Sequence, residues 1–221
     1  MIAVPVIAID GPSASGKGTV AQAVARALNF HYLDSGALYR IVGVAGMNAA
    51  ANLDSEPEIL AILLKINIKF SDRQVLLDNR DATDAIRSEA AGVAASRVAT
   101  HAAVRAGLLQ RQRAFRVMPG LVADGRDMGS VVFPDAVLKI YLTASAEARA
   151  QRRYKQLIDK GFDANMTALL QDIRSRDERD SNRVAAPLKK CPSAVEIDTT
   201  GMSADEATAR VLAQYQQVLK A

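Results

Sequence analysis

One short segment, Gly11-Pro12-Ser13-Ala14-Ser15-Gly16-Lys17-Gly18-Thr19, constrains this chain more than any other. The apolar run Val4–Ile9 precedes it and ends in Asp10; a stretch with Val20, Val24 and Leu28 at four-residue spacing follows. The first reads as a buried strand, with Pro5 near its start where a missing N–H is tolerated, and the second as a helix over Thr19–Leu28. Glycines between strand and helix let the backbone wrap so that successive N–H groups point inward. The helix N-terminus adds partial positive charge, and Lys17 adds a full one for the β- and γ-phosphates. An ordinary glycine-rich turn accounts for the glycines but not for the lysine at this spacing. The segment therefore predicts a P-loop that binds a nucleoside triphosphate through Gly11, Pro12, Ser13, Ala14, Ser15, Gly16, Lys17, Gly18 and Thr19. The common pattern has Ser or Thr directly after the lysine. Here Gly18 intervenes, so Thr19 is the candidate Mg²⁺ ligand, directly or through water.

The rest of the chain repeats the strand-then-helix rhythm. Tyr32–Leu33, Leu121–Ala123, Val137–Leu142 and Val195–Ile197 are further short strands, the first two ending in Asp34-Ser35-Gly36 and Asp124-Gly125. Strands alternating with helices predict an α/β fold of the P-loop NTPase type, a five-stranded parallel sheet with helices on both faces. One region departs from the rhythm. Ile66–Phe70 and Gln74–Leu77 flank Ser71-Asp72-Arg73 like a β-hairpin, and a polar stretch and an Ala-rich helix follow. This is read as a small α/β insertion, roughly 57–105, within a single domain of 221 residues. A polar break at Lys160-Gly161 divides two Arg-rich helices, which suits a mobile cover near 150–162.

Composition closes off other classes. Cys191 is the single cysteine and His31 and His101 the only histidines, so an intrachain disulfide, a Cys-based zinc site and His-based general-base chemistry are all disfavoured. The net charge of +4 and scarce aromatics argue against nucleic-acid binding. Arg supplies 19 of the 28 basic residues, a bias that suits small phosphate-bearing ligands as well as base composition. The N-terminal run lacks a basic lead and a cleavage site, and no stretch reads as a membrane span, so a cytoplasmic setting is expected. A monomer is expected, because no long apolar seam is left unassigned.

The acceptor side is read from three further segments. Arg176, Arg179, Asp180 and Arg183 fall at i, i+3, i+4 and i+7 of a helical stretch and share one face. A solvated face with Arg176–Asp180 ion pairs explains this spacing; so does a ligand carrying phosphates and hydroxyls. Ala123–Ala136, with Asp124-Gly125-Arg126-Asp127 at a strand's carboxyl end, lies where ligands of open α/β sheets gather, although an acidic-basic turn with Asp124 capping a helix has the same spacing. Asp34-Ser35-Gly36-Ala37-Leu38-Tyr39-Arg40 follows another strand. No Asn-Lys-x-Asp guanine-reading motif is present.

Taken together, Gly11–Thr19, Asp34–Arg40, Ala123–Ala136 and Arg176–Arg183 closely resemble the bacterial cytidylate kinases, and the likeness extends over nearly the whole chain, including Arg111–Phe115 and Ala185–Leu188. The Gly-Lys-Gly-Thr form of the loop looks like that of nucleoside monophosphate kinases generally. The resemblance implies phosphoryl transfer from Mg²⁺-ATP to CMP or dCMP, an insertion that binds the monophosphate, and a lid. It implies that Ser35, Arg40, Arg126 and Arg183 meet the accepting and transferring phosphates, that Ser96, Arg105 and Asp127 read cytosine, that Arg176 and Asp180 meet the sugar, and that Tyr39 lies against the nucleotide. Lys17, Arg126 and Arg183 are the implied catalytic residues. The chemistry is consistent for the base: a carboxylate accepts from the cytosine N4 amino group, whereas uracil offers an acceptor there. A shikimate-type metabolite kinase, with Asp34 as base for a hydroxyl acceptor, is the alternative that shares fold and loop.

Overall fold

A computed structural model of the chain describes residues 4–70, 74–159 and 161–220. Packing divides it into two units, Met1–Leu33 with Phe115–Ala221, and Asp34–Ala114. The second takes in the whole of 57–105 and, in addition, the helix that starts at Ser35.

The first unit is organised by a five-stranded parallel sheet. Its strands are β1 (Val6–Asp10), β2 (His31–Asp34), β6 (Leu121–Gly125), β7 (Leu138–Thr143) and β8 (Val195–Asp198), in the order β2-β6-β1-β7-β8. β1 lies between β6 and β7, with Ile7 opposite both Val122 and Leu138, and every residue of it is buried. A central parallel strand covered on both faces needs such an unbroken apolar run. β7 instead alternates, with Leu138, Ile140 and Leu142 buried and the residues between them partly exposed.

Alternation also sorts the two faces of β1. Ile7 and Ile9 join Val122, Ile140, Leu142 and Ile197 in one apolar cluster with α1 (Lys17–Leu28) and α8 (Ala204–Val218), which contribute Val20, Val24, Val211 and Tyr215. Burying each such aliphatic side chain contributes about 1.5–3 kcal/mol. The opposite face of β1 carries Ala8, against which a π-helical turn, Met128–Val132, packs: a Cβ on Gly129 would stand 3.5 Å from the Ala8 methyl. α6 (Ala146–Ile158) and α7 (Met166–Asn182) complete the unit. They are the two Arg-rich helices expected around the polar break, of which Lys160 lies outside the described residues.

In the second unit α2 (Ser35–Asn48) packs on α4 (Glu89–Val98), and α3 (Glu56–Lys65) on α5 (Ala102–Arg113). Gly43 permits the first pairing, since a Cβ there would come within 2.7 Å of the Ala94 Cβ. β3 (Ile68–Phe70), β4 (Val75–Leu77) and β5 (Arg80–Asp81) form a three-stranded antiparallel sheet, one strand more than the hairpin expected from sequence. The expected turn Ser71-Asp72-Arg73 lies outside the described residues.

Candidate functional site

The loop after β1 has the backbone its glycines foretell. A Cβ on Gly11 would stand 2.0 Å from the Leu142 carbonyl oxygen, so no side chain fits. Gly16, at φ 89°, forms the left-handed entry to α1, and Ala14 also has positive φ. α1 begins at Lys17, two residues earlier than the apolar spacing suggests, because Lys17 and Gly18 complete its first turn. The Lys17 ammonium donates to the Pro12 carbonyl at 3.2 Å, across the loop. Ser15 Oγ is buried and makes no hydrogen bond among the described residues, a polar atom of the kind a bound phosphate oxygen satisfies.

The loop carbonyls are held by residues that sequence reading did not single out. Arg149 donates to the Ser13 carbonyl at 3.2 Å and to the Ala144 carbonyl at 3.0 Å, and its guanidinium forks onto Asp177 at 2.9 and 2.6 Å. Arg152 donates to the Ser15 carbonyl at 3.3 Å and to the Thr199 carbonyl. The Thr199 hydroxyl lies 3.0 Å from the Ser15 carbonyl as well. Fixing the Ser13 and Ser15 carbonyls fixes the peptide planes whose N–H groups form the anion nest. The only sequence signal was the Arg-rich character of α6, too general to assign.

Two carboxylates at the strand ends take opposite faces. Asp124 ends the α1 face of β6, within 3.4 Å of where a Gly18 Cβ would sit, and accepts the Tyr32 hydroxyl at 2.6 Å. It stands beside the first turn of α1, and the N-cap position of the turn after β6 belongs to Asp127. Asp10 shares the Ala8 face of β1. Its two carboxylate oxygens accept the Met128 and Gly129 amides at 2.8 and 2.9 Å, and burial pushes its pKa up to about 6. Asp127, buried at the N-cap position of the π-helical turn, makes no side-chain capping bond of its own.

Arg126, Arg176, Asp180 and Arg183 come together in the first unit. Arg126 Nε donates to Asp180 Oδ2 at 2.8 Å, with Asp180 only 5% exposed. Burial alone would raise the Asp180 pKa, but Arg126, Arg176 and Arg183 outweigh it and hold the carboxyl below its usual value. Arg183 does not share the helix face expected from its spacing. α7 ends at Asn182, and Arg183 follows it with extended backbone, φ −57° and ψ 136°, donating to the Ala186 carbonyl at 2.8 Å. Arg183 reaches Asp180 electrostatically through the chain's exit from the helix, not through helical period. The carboxylate accepts from Arg126 at the β6 end, a partner that helical spacing could not name, and Arg176 acts on it electrostatically. Arg179 is exposed.

The second unit places the remaining candidates on its helices. Ser35 opens α2 and is buried, and Asp34 caps that helix by accepting the Ala37 amide at 3.0 Å. Tyr39 is buried, with the Arg105 guanidinium of α5 5.7 Å from its ring centroid. This geometry is a cation–π contact. Arg40 donates to the Ile86 carbonyl at 2.9 Å, and Ser96 is buried on α4.

The family model described as cytidylate kinase matches residues 7–217. Proteins named cytidylate kinase from Nitrosomonas europaea and Polynucleobacter asymbioticus are each 54% identical, covering 99% of this chain and 98% and 100% of their own. One from Burkholderia pseudomallei is 55% identical, covering 97% of this chain and 94% of its own. A solved structure of an uncharacterized protein from Eubacterium ventriosum shares the fold at TM-score 0.52 and 12% identity, over 95% of this chain and 97% of that one. With a phosphate-gripping loop on a five-stranded parallel sheet, an arginine cluster at the carboxyl end of the neighbouring strand, and likeness along nearly its full length, the chain belongs to the cytidylate kinase family.

Proposed function

We propose that this protein moves the γ-phosphoryl group of ATP to the 5′-phosphate of CMP or dCMP, giving ADP and CDP or dCDP. The observation that carries the reading is the cluster of Arg126, Arg176 and Arg183 around the buried Asp180, in the same unit as the P-loop. An acceptor phosphate oxygen attacks the γ-phosphorus while the bridging bond to the β-phosphate breaks, and its electron pair leaves with ADP. The acceptor is already ionised, so no general base is required, in keeping with a chain that has two histidines. Catalysis then rests on positioning and on charge stabilisation by Lys17, Arg126 and Arg183.

For the metal, the chemistry of the donor set fits Mg²⁺. Among the described residues no group of three or more His, Cys, Asp or Glu could hold an ion, and Mg²⁺ at such sites takes one or two carboxylates, substrate phosphates and water. Asp124 and Thr19 are the residues that would hold it, Asp124 oriented by Tyr32. Held there, Mg²⁺ would neutralise negative charge on the triphosphate. Ser35 and Arg40 serve the acceptor phosphate, Ser96, Arg105 and Asp127 the cytosine, Arg176 and Asp180 the sugar, and Tyr39 stacks by the nucleotide. Segment 150–162 acts as the lid that excludes water as a competing acceptor. Among the described residues no helix is long and apolar enough to cross a membrane; the protein acts as a cytoplasmic monomer. The shikimate-type alternative needs Asp34 as a base, but its Oδ1 caps α2.

The test is a coupled assay with ATP and Mg²⁺ against CMP, dCMP, UMP, AMP, GMP and shikimate. Strong turnover on the cytidine nucleotides, weak on UMP and none on shikimate is the expected outcome. Preferred turnover of a purine monophosphate or of shikimate would overturn the acceptor assignment.

A further inference from the structure

The carboxylate of Asp10 has no role in the reading above, yet it is buried at the foot of the P-loop. Its backbone continues directly into Gly11, while its side chain reaches the consecutive amides of Met128 and Gly129. Those amides open the turn that follows Arg126 and Asp127. An Asp at the N-cap position would ordinarily satisfy such amides itself. Here Asp127 does not, and Asp10 does so from another strand. Backbone bonds from the Val131 and Val132 amides to the Asp127 carbonyl then carry the turn onward. One side chain thus ties the loop that grips the donor to the segment that presents the acceptor-side residues.

We propose that Asp10 is a positioning residue that fixes the Arg126–Asp127 segment relative to the P-loop by accepting the Met128 and Gly129 amides. This rests on the reading of Asp127 as the cytosine-reading carboxylate. The role requires the ionised form, in which both oxygens accept; a proton on either turns one acceptor into a donor facing an N–H. The charged and titratable groups around Asp10 are Asp127 and Arg126 from the segment after β6, Tyr141 of β7, and Cys191 with Lys139 beside it. Desolvation outweighs the favourable contributions of the two amides and Arg126, and brings its titration to about pH 6.

The experiment compares wild type with Asp10→Asn, and Asp127→Asn alongside, for CMP KM, kcat and the dissociation constant of an unreactive ATP analogue. Asp10→Asn keeps one acceptor oxygen and turns the other position into a donor. Its CMP KM is expected to rise by about ten- to hundredfold while ATP-analogue affinity holds. The acceptor's own phosphate titrates near pH 6, so the informative quantity is the difference between the two pH profiles: the variant lacks the steeper acid limb in kcat/KM for CMP. Unchanged CMP KM in Asp10→Asn with a defect in Asp127→Asn would overturn the proposal and leave the base reading standing. No effect in either would overturn both. If Asp10→Asn does not fold, exchange protection of the Met128 and Gly129 amides in the wild-type protein decides. It should fall together as pH drops through about 6, and constant protection over that range refutes the role.

Discussion

Replacing Asp180 with Ala tests the site's central ion pair through stability alone, without substrate. The pair is enclosed: Arg126 is 15% exposed and Asp180 5%. Removing one partner of a buried pair costs about 3–5 kcal/mol, because the other charge is left desolvated. Arg126 keeps some water, so the lower end, about 3 kcal/mol, applies. Arg176 and Arg183 also lose the carboxylate that holds them near Arg126. For a chain of this size each kcal/mol moves Tm by about 2–4 °C, so Asp180→Ala should melt about 6–12 °C lower. The assay is calorimetric or circular-dichroism melting at neutral pH without nucleotide. Asp180→Asn, which keeps an acceptor for Arg126 Nε, should fall between. The sign with pH follows from the depressed folded pKa: the pair's stabilisation is present above the unfolded value of 3.8 and is lost as pH falls through the folded value. The Tm gap between wild type and variant should therefore close below that range. A gap under about 2 °C at neutral pH would refute the argument that this pair is a structural hub.

Gly11→Ala places a methyl 2.0 Å from a backbone oxygen of β7 that cannot swing away, so ATP binding by titration calorimetry should be abolished; near-normal affinity would contradict the loop geometry. Arg149→Met keeps the aliphatic stem but removes the fork onto Asp177 and the bonds to the Ser13 and Ala144 carbonyls. It should raise ATP KM about tenfold or more, with CMP KM little changed. Arg183→Ala should lower kcat on the order of 10³-fold, far more than it weakens CMP binding, because its charge matters most in the transition state. Equal kcat in variant and wild type would remove it from the catalytic set.

What sequence alone determined were features carried by local pattern. The Gly11–Thr19 loop, the five short strands and the Ala-rich helix of 89–98 declare themselves through glycine placement and period, because the physics behind them is local. α2 was expected only as one of the alternating helices, without bounds, because Asp34-Ser35-Gly36 looks like a turn. The same Asp34 is its N-cap, and Leu38, Ile41, Val42 and Ala45 are the buried stripe that betrays a helix. Arg126, Arg176, Asp180 and Arg183 could be nominated from sequence, but spacing offered only the Arg176–Asp180 pair and not the Arg126 bond to Asp180.

Only the tertiary structure decided the partners. That Asp180 meets Arg126, that Arg149 and Arg152 hold the loop's carbonyls, and that Asp10 caps a turn 118 residues away depend on which strand ends lie side by side. Strand order β6-β1-β7 brings Asp10, Gly125 and Tyr141 into one row. Alternation along each strand then sends Asp10 to one face of the sheet and Asp124 to the other. Period tells which residues share a face of their own element; which element covers that face is set by long-range packing, and that is why the same aspartates read as turn residues in one dimension and as the anchors of the site in three.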